Sequence, residues 1–409
     1  MMKISPSVAS VRGFLVAGVH AGLKKDGAPD FSLVVSEVDC IAAGVFTKNK
    51  VKAAPVLLDM QRLDENPKSI RAVATNTISA NACTGAIGLK NARATSNLVA
   101  DALSIVAEQV LVMSTGVIGA HLPMDKIARG VESASANLGS DWRAAAAGIM
   151  TTDTRPKFGS ITMETADGSY SIAGMVKGAG MIAPNMATML SVIVTDAGLP
   201  LPELQSSLRA AANQSYNRIV VDGDTSTNDT VLLLANGMSG VSLTGEEEIA
   251  AFQEALDSLT RYLAQEVVRD GEGVTKFITL NIVNAETEAD AEKIGQTIGA
   301  SVLTKSAFFG SDANWGRIMA AAGRAEAPLE PDSASLWVAA GESSPSEAPG
   351  LEIFSGGMPT DYREEDAAAI MAAPSITFTL DCGIGDGGAT IWTCDISHEY
   401  ISINGDYRS

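Results

Sequence analysis

A hydroxyl nucleophile needs a base, and the run Lys177-Gly-Ala-Gly-Met-Ile-Ala-Pro-Asn-Met-Ala-Thr188-Met-Leu190 offers a hydroxyl that can make its own. Thr188 follows a small residue and stands between a glycine-rich turn and an apolar run, the layout of a chain that cuts itself to expose an N-terminal threonine. A threonine hydroxyl is a poor nucleophile at neutral pH until an adjacent histidine or, in the N-terminal variants, its own α-amine activates it. The three histidines, His20, His121 and His398, lie near no serine or cysteine nucleophile motif. An α-amine has an ordinary pKa of roughly 7.7–8.0, so part of it is unprotonated at neutral pH. It exists only once the Ala187–Thr188 bond is broken. Attack of the Thr188 hydroxyl on the Ala187 carbonyl gives an ester that water hydrolyses, leaving chains of residues 1–187 and 188–409. On spacing alone the run reads, and more commonly, as a buried loop with an ordinary threonine, so other segments must decide.

The elements around the run can hold a hydroxyl rigidly. Residues 161–173 read as two short strands around an Asp167-Gly168 hairpin turn, and Met189–Val194 as a buried strand beginning at Thr188. Thr244-Gly-Glu-Glu247 is a capping box opening an amphipathic helix with Ile249, Phe252, Leu256, Leu259 and Leu263 on one face, and Gly271 lies just past its end. Phe277–Val283 reads as a strand, Glu286 to about Ile298 as a helix, and residues 341–350 as an exposed loop.

Three other patterns fail on context. Gly383-Ile-Gly-Asp-Gly-Gly388 fits the dinucleotide fingerprint, but a strand-like Ala-Thr-Ile-Trp-Thr-Cys follows where a helix belongs, so a hairpin turn is expected. Asp222-Gly-Asp224 opens like a calcium loop, yet Thr227 and Leu233 stand where the turn glycine and the bidentate glutamate belong. The isolated histidines and scattered cysteines lack zinc spacing, and no metal is expected.

Composition agrees with a globular enzyme: 409 residues, 46% hydrophobic and 19% charged, are enough for one large or two ordinary cores. The net charge of −19 disfavours nucleic acid and anionic membranes as partners. Cys40, Cys83, Cys382 and Cys394 form no CxxC pair and read as reduced thiols, and no segment has an export or membrane-spanning pattern, so a cytoplasmic location is expected.

Several segments in order resemble the ornithine acetyltransferase, or glutamate N-acetyltransferase, family through most of the chain. They are Ser114-Thr-Gly-Val-Ile-Gly119 with Leu122-Pro123, Thr151-Thr-Asp-Thr-Arg-Pro-Lys157, the 177–190 run, and Asn217-Arg-Ile-Val-Val-Asp-Gly-Asp-Thr-Ser-Thr-Asn-Asp229. Asp270-Gly-Glu-Gly273, Asp312-Ala-Asn-Trp-Gly-Arg317 and Asn404-Gly-Asp-Tyr-Arg-Ser409 complete them.

The resemblance implies an α/β fold: a layered sandwich of central β-sheets flanked by helices, N-terminal-nucleophile-like, over residues 1–275, and a C-terminal α/β domain over 276–409. It implies a self-cleaved enzyme whose Thr188 takes acetyl from N2-acetylornithine and passes it to glutamate by ping-pong exchange, without a cofactor, in a heterotetramer of two chains of each kind. Acetyl-CoA as a second acetyl donor stays open, since no sequence feature separates monofunctional from bifunctional members. The oxyanion donors fall on the Thr115 hydroxyl and the Gly116 N–H, although Thr-Gly alone reads as a tight turn. Substrate contacts fall on Thr154, Lys177, Thr188, Glu272, Asn404 and Ser409, with Lys177 expected to hold a carboxylate and Glu272 the ornithine ammonium. Outside the resemblance, a lone Lys or Glu is more often a solvated charge.

One departure stands out. In Asn76-Thr-Ile-Ser-Ala-Asn81, Thr77 and Ile78 replace the Ser-Gly of the family pattern, which leaves acceptor preference and acetyl-CoA use less determined than the transfer itself. Two further readings have distinct signatures. An N-terminal-nucleophile aminopeptidase or amidase would release free acetate from acetylornithine without glutamate, and an amino-acid-binding protein would keep an intact 409-residue chain.

Overall fold

Apolar β-branched runs alternate with amphipathic stretches through the first two thirds of the chain, and each takes the structure its period dictates. The structure is a computed structural model describing residues 4–8, 11–183, 189–347 and 349–406. In chain order it forms β1 (Phe14–Val19), β2 (Phe31–Phe46), α1 (Ala54–Glu65), β3 (Ile70–Asn76), α2 (Gly85–Leu103), β4 (Val110–Ser114), α3 (Met124–Ala136) and α4 (Trp142–Ala147). Then come β5 (Lys157–Thr165), β6 (Gly168–Lys177), β7 (Leu190–Thr195), α5 (Leu201–Gln214), β8 (Thr230–Ala235) and α6 (Glu246–Arg269).

Among the described residues these strands follow the order β4-β3-β2-β8-β7-β6-β5, with β1 also on β2. The long β2 joins two half-sheets: Phe31–Val35 pairs with β3, and after an irregularity before Cys40, Ile41–Phe46 pairs with β8. The half-sheets face each other. Val34, Val73, Leu111 and Met113 from one share a core with Ala173, Met175, Val192, Val194, Leu232 and Leu234 from the other. Residues of the opposite parity, Leu33, Val35, Ala72, Ala74, Val110 and Val112, pack under α1, α2 and α3. On the outer face of the second half-sheet, Tyr170 meets Phe252 of α6 with ring centroids 6.2 Å apart. The result is the expected layered sandwich of central sheets flanked by helices. The edge strand β4 is closed by α1, whose Asp59 Oδ1 accepts from the Val112 N–H at 2.9 Å while Arg62 donates to the Val110 carbonyl.

A second sheet has the order β12-β11-β10-β13-β9-β14. It is built from β9 (Phe277–Ala285), α7 (Glu288–Gly299), α8 (Val302–Phe309), α9 (Trp315–Ala322), β10 (Ser335–Ala340), β11 (Leu351–Ser355), β12 (Met358–Pro359), α10 (Glu364–Met371), β13 (Ser375–Asp381), β14 (Gly387–Cys394) and α11 (His398–Gly405). Ile278, Leu280 and Ile282 of β9 pack with Ile294 and Ile298 of α7.

The chain divides into two compact units. The first comprises Met1–Gly178, Asn185–Asn217 and Thr225–Val267; the second comprises Ala179–Pro184, Arg218–Asp224 and Val268–Ser409. The single boundary expected after residue 275 is therefore replaced by a break at Val268 and two short excursions. The excursions have a physical cause: in the second unit the Val221 N–H donates to Ile182 O at 2.8 Å, the Val220 N–H to Trp392 O at 2.9 Å, and the Glu272 N–H to Ala179 O at 2.9 Å. None of these bonds joins neighbours in sequence.

Three local expectations shift. The β5–β6 ladder closes at Thr165 opposite Gly168, so the turn residues are Ala166 and Asp167 rather than Asp167 and Gly168. At α6 the carboxylate that turns back is Glu248, accepting from the Thr244 and Gly245 N–H groups at 3.0 Å each, not Glu247, because Gly245 delays the first helical residue to Glu246. The glycine-rich 383–388 segment binds no hairpin: β13 and β14 flank β9 on opposite sides, and the connection crosses its end, with the Ile384 and Gly385 N–H groups donating to Asn284 O at 3.0 Å. The other elements fall as read, with the described residues of 341–350 forming the connection from β10 to β11.

Candidate active site

Side-chain alternation carries two of the expected residues to one place in the first unit. Thr115 continues the parity of Leu111 and Met113 just past β4, and Lys177 that of Ala173 and Met175 at the end of β6, so both reach the rim of the layer between the half-sheets. There the Lys177 Nζ donates to Thr115 Oγ1 at 3.4 Å, and both residues are buried.

The Thr115-Gly116 turn is held from several sides. The Thr115 N–H donates to Asn76 O at 3.0 Å, the Val117 N–H to Ile78 O at 2.9 Å, and the Ser114 hydroxyl to Asn76 Oδ1 at 2.7 Å. Gly116 has φ +132°, and a Cβ there would lie 2.6 Å from the Ile78 Cα and closer still to its carbonyl group. Only glycine fits so near another backbone. No backbone carbonyl accepts the Gly116 N–H among the described residues. Ile78 itself has φ +73°, unusual for a β-branched residue, and is 42% exposed between buried Thr77 and Ser79.

Asp153 organises the cationic side of this rim. Its Oδ1 accepts from Lys157 Nζ and from the Gly178 N–H, each at 2.7 Å, and its Oδ2 from the Thr151 N–H at 2.9 Å. Burial pushes its pKa up, but the Lys177 and Lys157 ammonium groups and these hydrogen bonds more than offset that and hold it well below the usual carboxylate range. Thr154, next in sequence, is exposed.

Glu272 and Asn404 come together in the second unit. The Asn404 Nδ2 donates to Glu272 Oε2 at 2.6 Å and to Tyr400 O at 3.0 Å, with Glu272 buried and Asn404 exposed. Ala187, Thr188 and Ser409 lie outside the described residues. Asp222 serves a turn, accepting from the Ile182 N–H at 2.9 Å and the Asp224 N–H at 3.1 Å. His20 pairs with Asp30 at 3.1 Å, and the His398 ring stands edge-on to Phe309. Cys40, Cys382 and Cys394 are buried free thiols and Cys83 an exposed one. No helix among the described residues is long and apolar enough to cross a membrane.

Sequence reasoning assigned no role to Asp153, Asn76, Asn228 or Asp229. A signal existed in the unbroken polar run Asp222-Gly-Asp-Thr-Ser-Thr-Asn-Asp229 ahead of the apolar Val231–Leu234. All eight of its residues precede a strand with no helix to cap.

A family model described as the ArgJ family matches residues 15–409. This chain belongs to the ArgJ family. It is 44% identical to the arginine biosynthesis bifunctional protein ArgJ of Geobacter sulfurreducens, covering 98% of this chain and 100% of that one. The ArgJ protein of Thermotoga neapolitana is also 44% identical, over 97% of this chain and 99% of its own. A solved structure of ornithine acetyltransferase complexed with ornithine, from Mycobacterium tuberculosis, is 45% identical with a TM-score of 0.41, covering 44% of this chain and 95% of that one.

Proposed function

We propose that this ArgJ-family chain cuts itself between Ala187 and Thr188 and then moves acetyl from N2-acetylornithine to glutamate in arginine biosynthesis. The observation that carries the reading is the match over nearly the whole length to relatives named arginine biosynthesis bifunctional protein ArgJ. The rim geometry supports it, because it sets a hydroxyl and a backbone N–H side by side at the end of β4 with an ammonium behind them.

In the proposed reaction the Thr188 oxygen attacks the acetyl carbonyl and its proton passes to the Thr188 α-amine. The tetrahedral oxyanion takes hydrogen bonds from the Thr115 hydroxyl and the Gly116 N–H. The C–N bond then breaks, the ammonium returns its proton to the leaving amine, and ornithine departs from an acetyl-threonine ester. Glutamate's amine attacks that ester in the reverse sequence and leaves as N-acetylglutamate. The Lys177 ammonium, donating to Thr115 Oγ1, turns that hydroxyl's own proton outward as a donor. Lys177 is also expected to hold the substrate carboxylate, Glu272 the ornithine ammonium, and Thr154, Asn404 and Ser409 to complete the contacts.

The word bifunctional in the relatives' names supports a second activity, acetylation of glutamate from acetyl-CoA through the same ester. Acetyl-CoA then acts as a substrate, and no resident cofactor is proposed. The proposed assembly has two chains of each kind, and the free thiols suit a reducing cytoplasm.

Intact-mass spectrometry of the purified protein beside T188A tests the reading. Two fragments meeting at 187/188 in the wild type, and one uncut chain in the variant, are expected. An uncut wild type that still transfers acetyl would remove the α-amine as base.

A further inference from the structure

We infer that Asn228 and Asp229 form a positioning pair for acyl transfer: one side chain fixes the loop of the oxyanion donors, and the next fixes the peptide that follows the nucleophile. This rests on the acetyl-threonine reading above.

Asn228 lies just ahead of β8 and is buried. Its Nδ2 donates to Ala80 O at 2.6 Å and to Ser114 O at 2.8 Å, and its Oδ1 accepts from the Thr227 hydroxyl at 2.6 Å. The Ser114 carbonyl and the Thr115 N–H belong to one peptide unit. Asn228 holds its oxygen, and the Asn76 carbonyl accepts its N–H at 3.0 Å. The peptide plane leading into Thr115 and Gly116 is thus gripped at both ends. Asn76 braces the facing segment as well, its Nδ2 donating to Thr77 O and Ser79 O at 3.1 Å each.

Asp229 does the corresponding work on the other side. Its Oδ1 accepts from the Met189 N–H at 3.1 Å, and the Thr230 N–H donates to Met189 O at 3.1 Å. Met189 follows Thr188 directly, so the amide that Asp229 holds is that of the Thr188–Met189 bond. Asp229 is itself anchored by the Thr47 N–H, which donates to its carbonyl at 3.0 Å.

Because the two residues are adjacent, their Cα atoms are about 3.8 Å apart, and the offset between the two grips is set by one peptide. A shift of either grip is felt by the other, and near a reacting centre a displacement of about 1 Å can cost on the order of 10²-fold in rate. Packing alone explains Asp229 poorly. Its side chain is fully buried, and its Oδ2 has no hydrogen-bond partner among the described residues, an arrangement that costs stability unless the carboxyl has another use.

The test compares N228A, N228D, D229A and D229N in the full chain, reading the cleavage half-time, acetyl-enzyme burst amplitude, kcat per titrated site, donor KM and thermal midpoint. For N228A and D229A, cleavage and per-site kcat are expected to fall roughly 10- to 100-fold with KM nearly constant. D229N keeps an oxygen for the Met189 N–H and is expected to recover most of the loss. N228D, the same shape but facing two carbonyls with a carboxylate, is not. If the alanine variants fail to fold, the two isosteric variants decide alone. Folded variants with lowered midpoints but wild-type cleavage and per-site kcat would overturn the inference, as would D229N behaving like D229A. A wild type that neither cleaves nor gives an acetyl-enzyme burst would instead overturn the proposed function.

Discussion

Replacing Gly116 by alanine puts a methyl group where the structure has a backbone. The added Cβ would sit 2.6 Å from the Ile78 Cα and closer to its carbonyl, and no rotamer change relieves a contact between two backbones. Positive φ costs a non-glycine residue roughly 1–2 kcal/mol, and forcing an extra methyl into a packed contact costs about 1–3 kcal/mol more, so G116A should lose roughly 2–5 kcal/mol. That leaves a folded protein if the total is in the usual range of about 5–15 kcal/mol. Gly168 is the internal control, since it has a matching φ of +129° and only Val241 Cγ2, at an ordinary 3.6 Å, near an added Cβ, so G168A reports the φ cost with little contact. The excess loss of G116A over G168A in urea unfolding measures the collision with Ile78. Moving the loop also misaims one oxyanion donor, worth about 2.7–4 kcal/mol or roughly 10²–10³ in kcat, while KM changes little. A G116A enzyme with kcat within about threefold of wild type and the same stability loss as G168A would refute both the close approach and the donor role.

Two further outcomes follow from the same rim. I78G should raise stability by about 1 kcal/mol, because releasing a strained residue returns roughly 1–3 kcal/mol against the 0.5–1 kcal/mol or so that glycine's freedom costs, and the side chain is 42% exposed; a lower urea midpoint at unchanged slope would contradict it. D153N should destabilise the protein by about 3–5 kcal/mol at pH 7, since it removes the buried carboxylate to which the Lys157 ammonium donates at 2.7 Å. The folded-state pKa of Asp153 is depressed, so its stabilisation is fully present above the unfolded value of roughly 3.9 and drains away as pH falls below that toward the folded value. Wild-type and D153N stabilities measured by urea unfolding should therefore converge as pH drops below about 4; a constant gap down to pH 2 or so would refute the assignment.

What lay within a few residues was legible in the sequence. The buried apolar run of Leu190–Thr195, the helical period of Phe252, Leu256, Leu259 and Leu263, and the helix start near Thr244 all follow from backbone geometry and local hydrogen bonding. Even there one glycine moved the capping role from Glu247 to Glu248. The residue types of the Thr115-Gly116 turn and the 177–190 run were visible, and so was the family resemblance. Which atoms meet was not. Lys177 reaches Thr115 across 62 positions, and Asn228 reaches Ser114 across 114 and Ala80 across 148. Such contacts depend on which strands pair and in what register, and that is settled by burying the whole inter-sheet layer at once. The same holds for β13 and β14, consecutive in sequence yet separated by β9, and for the short stretches 179–184 and 218–224 that fold with the second unit. The sequence determined the chemistry available and the local elements that carry it. Only the tertiary structure decided which polar groups face one another, because a hydrogen bond between distant residues leaves no periodicity in either segment.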